Sequence, residues 1–236
     1  MDTTTFMRSA MFVPGHRQKM IDKALASTAD VLFLDIEDGV VPAEKDTARQ
    51  LIAESLRTVA QHPPAGRHPL RFVRINAIGH ERMQADLEMV VGPGLEGFCL
   101  PKVEQADQIK YVDSLLDKAD PSGQVQYIAS IESALGLINA PRIAAASKRM
   151  VALMFGAEDF GKDLGLPTLR VAEASELLYA RSAIIMAGAS AHIGAIDGVW
   201  PDIRDPEGLR RDALQARRLG FTGKSLIHPG QIDIVN

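Results

Sequence analysis

Apolar residues along this chain gather into short runs separated by longer amphipathic stretches. The runs are SAMFVP (9–14), VLFLDIED (31–38), LRFVRIN (70–76), GFCLPKV (97–103), VQYIASIES (125–133), VALMFGAED (151–159), AIDGVW (195–200) and GKSLIHP (223–229). Each has the length and composition of a buried strand. EKDTARQLIAESLRTVAQ (44–61) instead repeats its apolar residues at helical spacing, through Ala48, Leu51, Ile52, Leu56 and Val59. SELLYARSAIIMAGASAH (175–192) reads as another helix. Strand and helix alternating eight times predict right-handed βαβ units and a parallel sheet. Eight repeats close naturally into an α/β fold of the (β/α)8 TIM-barrel type, a single domain over residues 1–236. An open doubly wound sheet is the alternative. No G-x-G-x-x-G follows the first run, which removes the main dinucleotide-binding reason to prefer it.

Polar residues then fall at the C-terminal ends of the runs, where a barrel carries its active site. Those ends read Pro14-Gly15-His16-Arg17, Asp35-Ile36-Glu37-Asp38, Arg74-Ile75-Asn76, Pro101-Lys102, Glu132-Ser133, Glu158-Asp159, Asp197 and His228-Pro229. Any one of them reads equally as a turn or a helix cap. The set of eight predicts a shared polar pocket.

Glu132 and Asp159 end consecutive strands, five and six, so both side chains can reach one ion between them. Two carboxylates, completed by water and a substrate oxygen, suit Mg²⁺. No His or Cys stands at either position, which disfavours zinc. Without a cation the two acids would repel, and one would be forced toward its neutral form. Capping a following helix is the competing role, and it suits Glu158 and Asp163 better. Arg74 offers a planar fork that grips a carboxylate in two places, unless Glu37 or Asp38 has already engaged it. Arg17, Lys19 and Lys23, with His16, follow the first strand as a basic group. It suits phosphates of a long ligand or an ordinary solvated helix face.

The 236 residues are 46 % hydrophobic and 24 % charged, the profile of a globular protein. A net charge of -4, with no basic run, argues against nucleic acid. Cys99 is the only cysteine, which excludes a disulfide framework and a thiolate metal cluster. No signal-peptide core and no membrane-spanning run is present, so the expectation is a cytoplasmic protein without a membrane partner.

RSAMFVPG, LFLDIEDGVVPAEKDTAR, FVRIN, LPKVE, IESALGLINA, FGAEDF, AIDGVWPDIRD and GFTGKSLIHPGQI together resemble the citrate lyase β-subunit-like group of the HpcH/HpaI aldolase superfamily. That group includes citramalyl-CoA lyase and malyl-CoA lyase. The resemblance runs in order from Arg8 to the end of the chain. It implies a Mg²⁺-dependent TIM barrel, a homotrimer or hexamer, that makes or breaks a carbon–carbon bond beside an acyl-CoA thioester. Glu132 and Asp159 would hold the metal, and Arg74 the substrate carboxylate, with Glu132 also facing the substrate. Phe12, Lys19 and Lys23 match positions that contact coenzyme A, and Glu37 and Asp38 match a polar layer around metal-bound water. The activity implied is cleavage of a 3-hydroxy-3-carboxyacyl-CoA (citramalyl-, malyl- or citryl-CoA) into acetyl-CoA and a 2-oxoacid. A pyruvate-type aldolase on free 2-oxoacids, or a non-catalytic barrel within a larger complex, are the alternatives. The resemblance also implies a helical C-terminal lid bearing an acid/base aspartate. The sequence ends at Asn236, soon after the eighth run, so the barrel is expected without that lid. Asp233 precedes where that aspartate would stand, and no residue is assigned its role.

Overall fold

All eight apolar runs are strands, and they close on themselves. The computed structural model describes residues 7–166 and 174–236. Its strands are β1 (Ser9–Pro14), β2 (Val31–Asp35), β3 (Leu70–Arg74), β4 (Gly97–Leu100), β5 (Gln126–Ile131), β6 (Met150–Phe155), β7 (Gly194–Asp197) and β8 (Gly223–Leu226). They form a closed barrel in chain order, every pair parallel, with β8 returning to β1 through Ala10 opposite Ser225. Helices α1 (Gln18–Leu25), α2 (Lys45–Gln61), α3 (Met83–Val90), α4 (Ala106–Leu116), α5 (Ala134–Ala144), α6 (Ala157–Asp163), α7 (Leu178–Ser190) and α8 (Pro206–Leu219) connect them. A single turn, α9 (Ile232–Val235), follows β8. No described helix is long and apolar enough to cross a membrane. The fold is a (β/α)8 TIM barrel.

Strand alternation divides the core into two shells. Ala10, Val31, Phe33, Phe72, Cys99, Ile128, Ala152, Met154 and Ile196 point inward and fill the barrel. Residues one position along, such as Met11, Leu32, Leu34, Val73 and Leu153, point outward. There they meet the helices, with Ile52 and Leu56 of α2 among their partners in that layer.

Several strands end earlier than their apolar runs. β2 stops at Asp35 because the next backbone groups turn to its side chain: Glu37 N–H donates to Oδ1 at 2.8 Å and Gly39 N–H to Oδ2 at 2.9 Å. A Cβ on Gly39 would overlap Oδ2 of Asp35, so this tight wrap depends on glycine. β6 stops at Phe155 because α6 begins at Ala157. The run-on residues are the rim loops, where barrel enzymes keep their chemistry.

Two buried polar networks brace those loops from outside. Asp86 of α3 accepts from Arg49 Nε at 2.9 Å and from the Asn76 side chain at 2.6 Å. Asn76 Oδ1 accepts from Lys45 Nζ at 2.6 Å, and the same ammonium donates to the carbonyls of Ile36 and Glu37. Behind β7 and β8, Asp197 accepts from Arg181 Nη2 and Lys224 Nζ, both at 2.8 Å, while Asp212 pairs with the same two cations.

Candidate active site

At the C-terminal mouth of the barrel a cavity of about 110 Å³ is lined by Phe12, Arg74, Ser130, Glu132, Met154 and Asp159 among others. Alternation brings Phe12, Arg74, Ser130 and Met154 inward from β1, β3, β5 and β6, Glu132 follows one residue beyond β5, and Asp159 enters from the first turn of α6. The helix N-terminus favours a carboxylate there. Gly156 makes room for the centre of the site, since a Cβ on it would overlap Cγ of Glu132.

Arg74 is held on several sides. Its Nε and Nη2 donate to Asp35 at 2.8 and 2.6 Å, its Nη1 lies 3.3 Å from Glu37, and its guanidinium stands 4.6 Å over the Phe12 ring. Burial opposes its charge, but Asp35 and then Glu37 outweigh burial and hold the guanidinium firmly protonated. The two-pronged side of the fork is thus closed by Asp35, and its Nη1 edge lies beside Glu37. The expected competitor for Arg74 was Glu37 or Asp38; Glu37 does engage it, but Asp35 holds it more closely.

Glu37 and Asp38 are themselves bridged by Lys102, whose Nζ lies 2.6 and 2.8 Å from them. Burial works against that ammonium, yet its hydrogen bonds to Asp38 and Glu37 raise its pKa. Lys102 reaches this position from a left-handed backbone (φ 52°), a conformation costly for a side chain with a Cβ.

Burial pushes the Glu132 carboxyl above its ordinary range. The Ser130 hydroxyl works against that shift, Glu37 and Asp159 add to it, and Arg74 opposes it. Asp159 is half-exposed and pairs with Lys162 at 2.7 Å. Around the mouth, the carboxylates of Asp35, Glu37, Asp38, Glu132, Glu158 and Asp159 outnumber the cations Arg74, Lys102, Lys162 and, from behind, Lys45. A surplus of carboxylates around a buried, charge-strained Glu132 fits a hard divalent cation. Among the described residues no group of three or more His, Cys, Asp and Glu is arranged to hold a metal.

The other strand ends do not all converge. Asp197 points out into its cluster with Arg181 and Lys224, Asn76 points out to Asp86, and exposed His228 accepts from the Gly230 N–H. The period of two already turns Asp197 away, because Ile196 is the inward residue. Asp163 ends α6 instead of starting it, and accepts from the Ala134 N–H at the start of α5. Phe12 lies inside the mouth, packed 4.9 Å from Phe33, whereas Lys19 and Lys23 are exposed together on α1. Asp35, Lys102 and Ser225 are site residues whose roles the sequence did not single out.

Comparison with known proteins gives the family. The family described as HpcH/HpaI aldolase/citrate lyase matches residues 8–229. The citrate lyase subunit beta of Leuconostoc mesenteroides subsp. cremoris is 40% identical over 241 residues, covering 100% of this chain and 78% of that protein. A (3S)-malyl-CoA thioesterase of Cereibacter sphaeroides is 34% identical over 230 residues, covering 97% and 75%. Among solved structures, CitE of Mycobacterium tuberculosis in complex with magnesium, acetoacetate and coenzyme A superposes with a TM-score of 0.79 at 34% identity, covering 98% of this chain and 79% of that one. The chain belongs to the HpcH/HpaI aldolase/citrate lyase family.

Proposed function

We propose that this protein is a Mg²⁺-dependent carbon–carbon lyase acting on a 3-hydroxy-3-carboxyacyl thioester, which it cleaves to an acetyl thioester and a 2-oxoacid. Run backwards, the same site performs a Claisen-type condensation. The observation that carries the reading is the Glu132–Asp159 pair beside Arg74 in one cavity. The relatives add the class, since one is named for malyl-CoA and another was crystallised with magnesium and coenzyme A.

Glu132 and Asp159 would hold the ion, with Glu37 and Asp38 near its waters. Bound there, Mg²⁺ supplies Lewis acidity toward the substrate's hydroxyl and carboxylate. Arg74, kept charged by Asp35 and Glu37, stabilises negative charge and does not give up a proton. Phe12, Met154, Phe155 and Val199 line the same cavity and exclude water from the reacting carbons. Lys19 and Lys23, one turn apart on α1, would meet the phosphates of coenzyme A.

Purified protein with Mg²⁺ should release acetyl-CoA and a 2-oxoacid in equal amounts from at least one of citramalyl-CoA, malyl-CoA and citryl-CoA. Glu132→Ala or Asp159→Ala should abolish turnover, and undiminished turnover in either variant would sink the assignment. Free coenzyme A with an intact hydroxy acid would mark a thioesterase instead. Lys19→Ala and Lys23→Ala should raise KM for a CoA ester. Aldol cleavage of a free hydroxy-oxoacid, with every CoA ester inert, would favour the pyruvate-type aldolase.

A further inference from the structure

Three of the cations at the mouth are tied to carboxylates: Arg74 to Asp35, Lys102 to Glu37 and Asp38, and Lys162 to Asp159. The ammonium of Lys45 is placed differently. It lies behind the turn that follows β2, only 9% exposed. There it donates to three neutral oxygens: the carbonyls of Ile36 and Glu37 at 2.9 and 3.0 Å, and Asn76 Oδ1 at 2.6 Å. Three acceptors call for three N–H donors, which a protonated lysine has and a neutral amine lacks. Burial lowers its pKa, and Glu37, Asp35, Asp38 and Asp86 oppose that shift without bonding to it.

Each neighbour of that ammonium is fixed in turn. Asn76 must aim Oδ1 at Lys45, because its backbone N–H and Nδ2 both donate to Asp86 Oδ2, at 2.9 and 2.6 Å. Arg49 Nε holds the other oxygen of Asp86 at 2.9 Å. Toward the mouth, the Ile36–Glu37 peptide is held at both ends, its C=O by Lys45 and its N–H by Asp35 Oδ1. The Glu37 side chain then stands with Oε2 3.3 Å from Arg74 Nη1 and Oε1 2.6 Å from Lys102. Asp35, which holds that N–H, also closes the fork of Arg74. A buried chain thus runs from α2 and α3 to the guanidinium that lines the cavity.

We propose that Lys45 is a positioning residue for the cleavage reaction: its ammonium fixes the two carbonyls of this turn and so sets the Glu37 carboxylate against the Nη1 edge of Arg74. The inference rests on the lyase reading and adds to it a residue that lies outside the cavity. Glu132 and Asp159, which would hold the metal, stand at β5 and α6, three strands or more round the ring from β2. A displacement on the order of 1 Å in the groups around a reacting centre is enough to slow it by about 100-fold.

The test compares wild type with Lys45→Met, Asn76→Ala and Arg149→Met, with Mg²⁺, on whichever of the three thioesters wild type cleaves. Lys45→Met should lose about 10–100-fold in kcat, and Asn76→Ala, which removes one acceptor of three, about 3–10-fold. Arg149 is the control, because it ties down Asp120 ahead of β6, at the opposite end of the barrel. Arg149→Met should melt lower yet keep kcat within about twofold of wild type. Mg²⁺ should raise the melting temperature of both mouth variants at least as far as that of wild type, because Glu132 and Asp159 are untouched. A brace that serves the fold alone would behave as Arg149 does, with a lower melting temperature and an unchanged kcat, and that result overturns the proposal. Failure of both mouth variants to fold, or loss in them of a Mg²⁺ response that wild type shows, overturns it too. Crystal structures give a readout independent of turnover: in Lys45→Met, Glu37 should stand more than about 4 Å from Arg74 Nη1, beyond ion-pair distance. Glu37 unmoved in that variant overturns the proposal even where kcat falls. Glu37 displaced in the variant of a protein whose wild type cleaves no thioester counts against the lyase reading alone.

Discussion

Two charged clusters sit at the same end of this barrel, and they are built on opposite plans. Behind β7 and β8, two acids (Asp197, Asp212) meet two cations (Arg181, Lys224), all nearly fully buried and joined to one another. Inside the mouth, carboxylates outnumber cations, and burial raises the pKa of Glu132. In the outer cluster, burial likewise disfavours the charge of Asp197, but Lys224 and Arg181 outweigh it and lower its pKa. One cluster is balanced and closed, which serves the fold; the other carries surplus negative charge, which the proposed function assigns to a cation and a substrate. A charged residue at a strand end acquires its role from the face it occupies and from the balance around it.

Breaking the balanced cluster should have the largest effect on stability. Lys224→Met leaves two buried aspartates against one arginine, and removing one partner of such a buried network costs about 3–5 kcal/mol. Denaturant unfolding monitored by circular dichroism should give a loss of that size. A loss under about 1 kcal/mol, the range of an exposed pair, would mean the cluster is not the closed structural unit described.

The site should respond in the opposite sense. Glu132→Gln removes a buried charge that lies among other carboxylates while keeping the side chain's shape. The metal-free variant should therefore melt higher than metal-free wild type at pH 7. It should also lose most of the rise in melting temperature that wild type shows with Mg²⁺, a rise that follows from ligand binding only the folded state. A metal-free variant less stable than wild type would show that Glu132 serves the fold as well as the site.

Much of this contrast was legible in the residues. Eight apolar runs became eight strands because a parallel barrel strand is buried on both faces and leaves a continuous hydrophobic signature. Glu132 and Asp159 were readable as a pair because consecutive strands are neighbours in the ring. The run ends were not readable, because Ile36, Ile75 and Val103 are apolar yet belong to loops, where they pack under the helices. Asp197 was grouped with the pocket because its place at a strand end was read without its parity. Lys102 was noted as a strand end, but its bridge to Glu37 and Asp38 depends on a left-handed backbone that no local pattern announces. Asp163 was given to its own helix because its true partner, the Ala134 N–H, is 29 residues away.

The smallest and most specific effect distinguishing the two clusters is a slope with pH. Asp197 has its folded pKa lowered below 3.8. Its contribution to stability is therefore fully present above the unfolded value and is lost as pH falls through the folded one. Wild type must take up a proton at Asp197 when it unfolds in that acid window, so its unfolding free energy falls with decreasing pH. Asp197→Asn has no proton to take up, and its curve should be flatter there, whatever stability the substitution has removed uniformly. Unfolding free energies measured in denaturant at a series of pH values below about 4 give both slopes directly. Equal slopes would mean that Asp197 is no better stabilised as an anion in the folded protein than in the unfolded chain. The cluster behind β7 and β8 would then have lost its claim to be the balanced one.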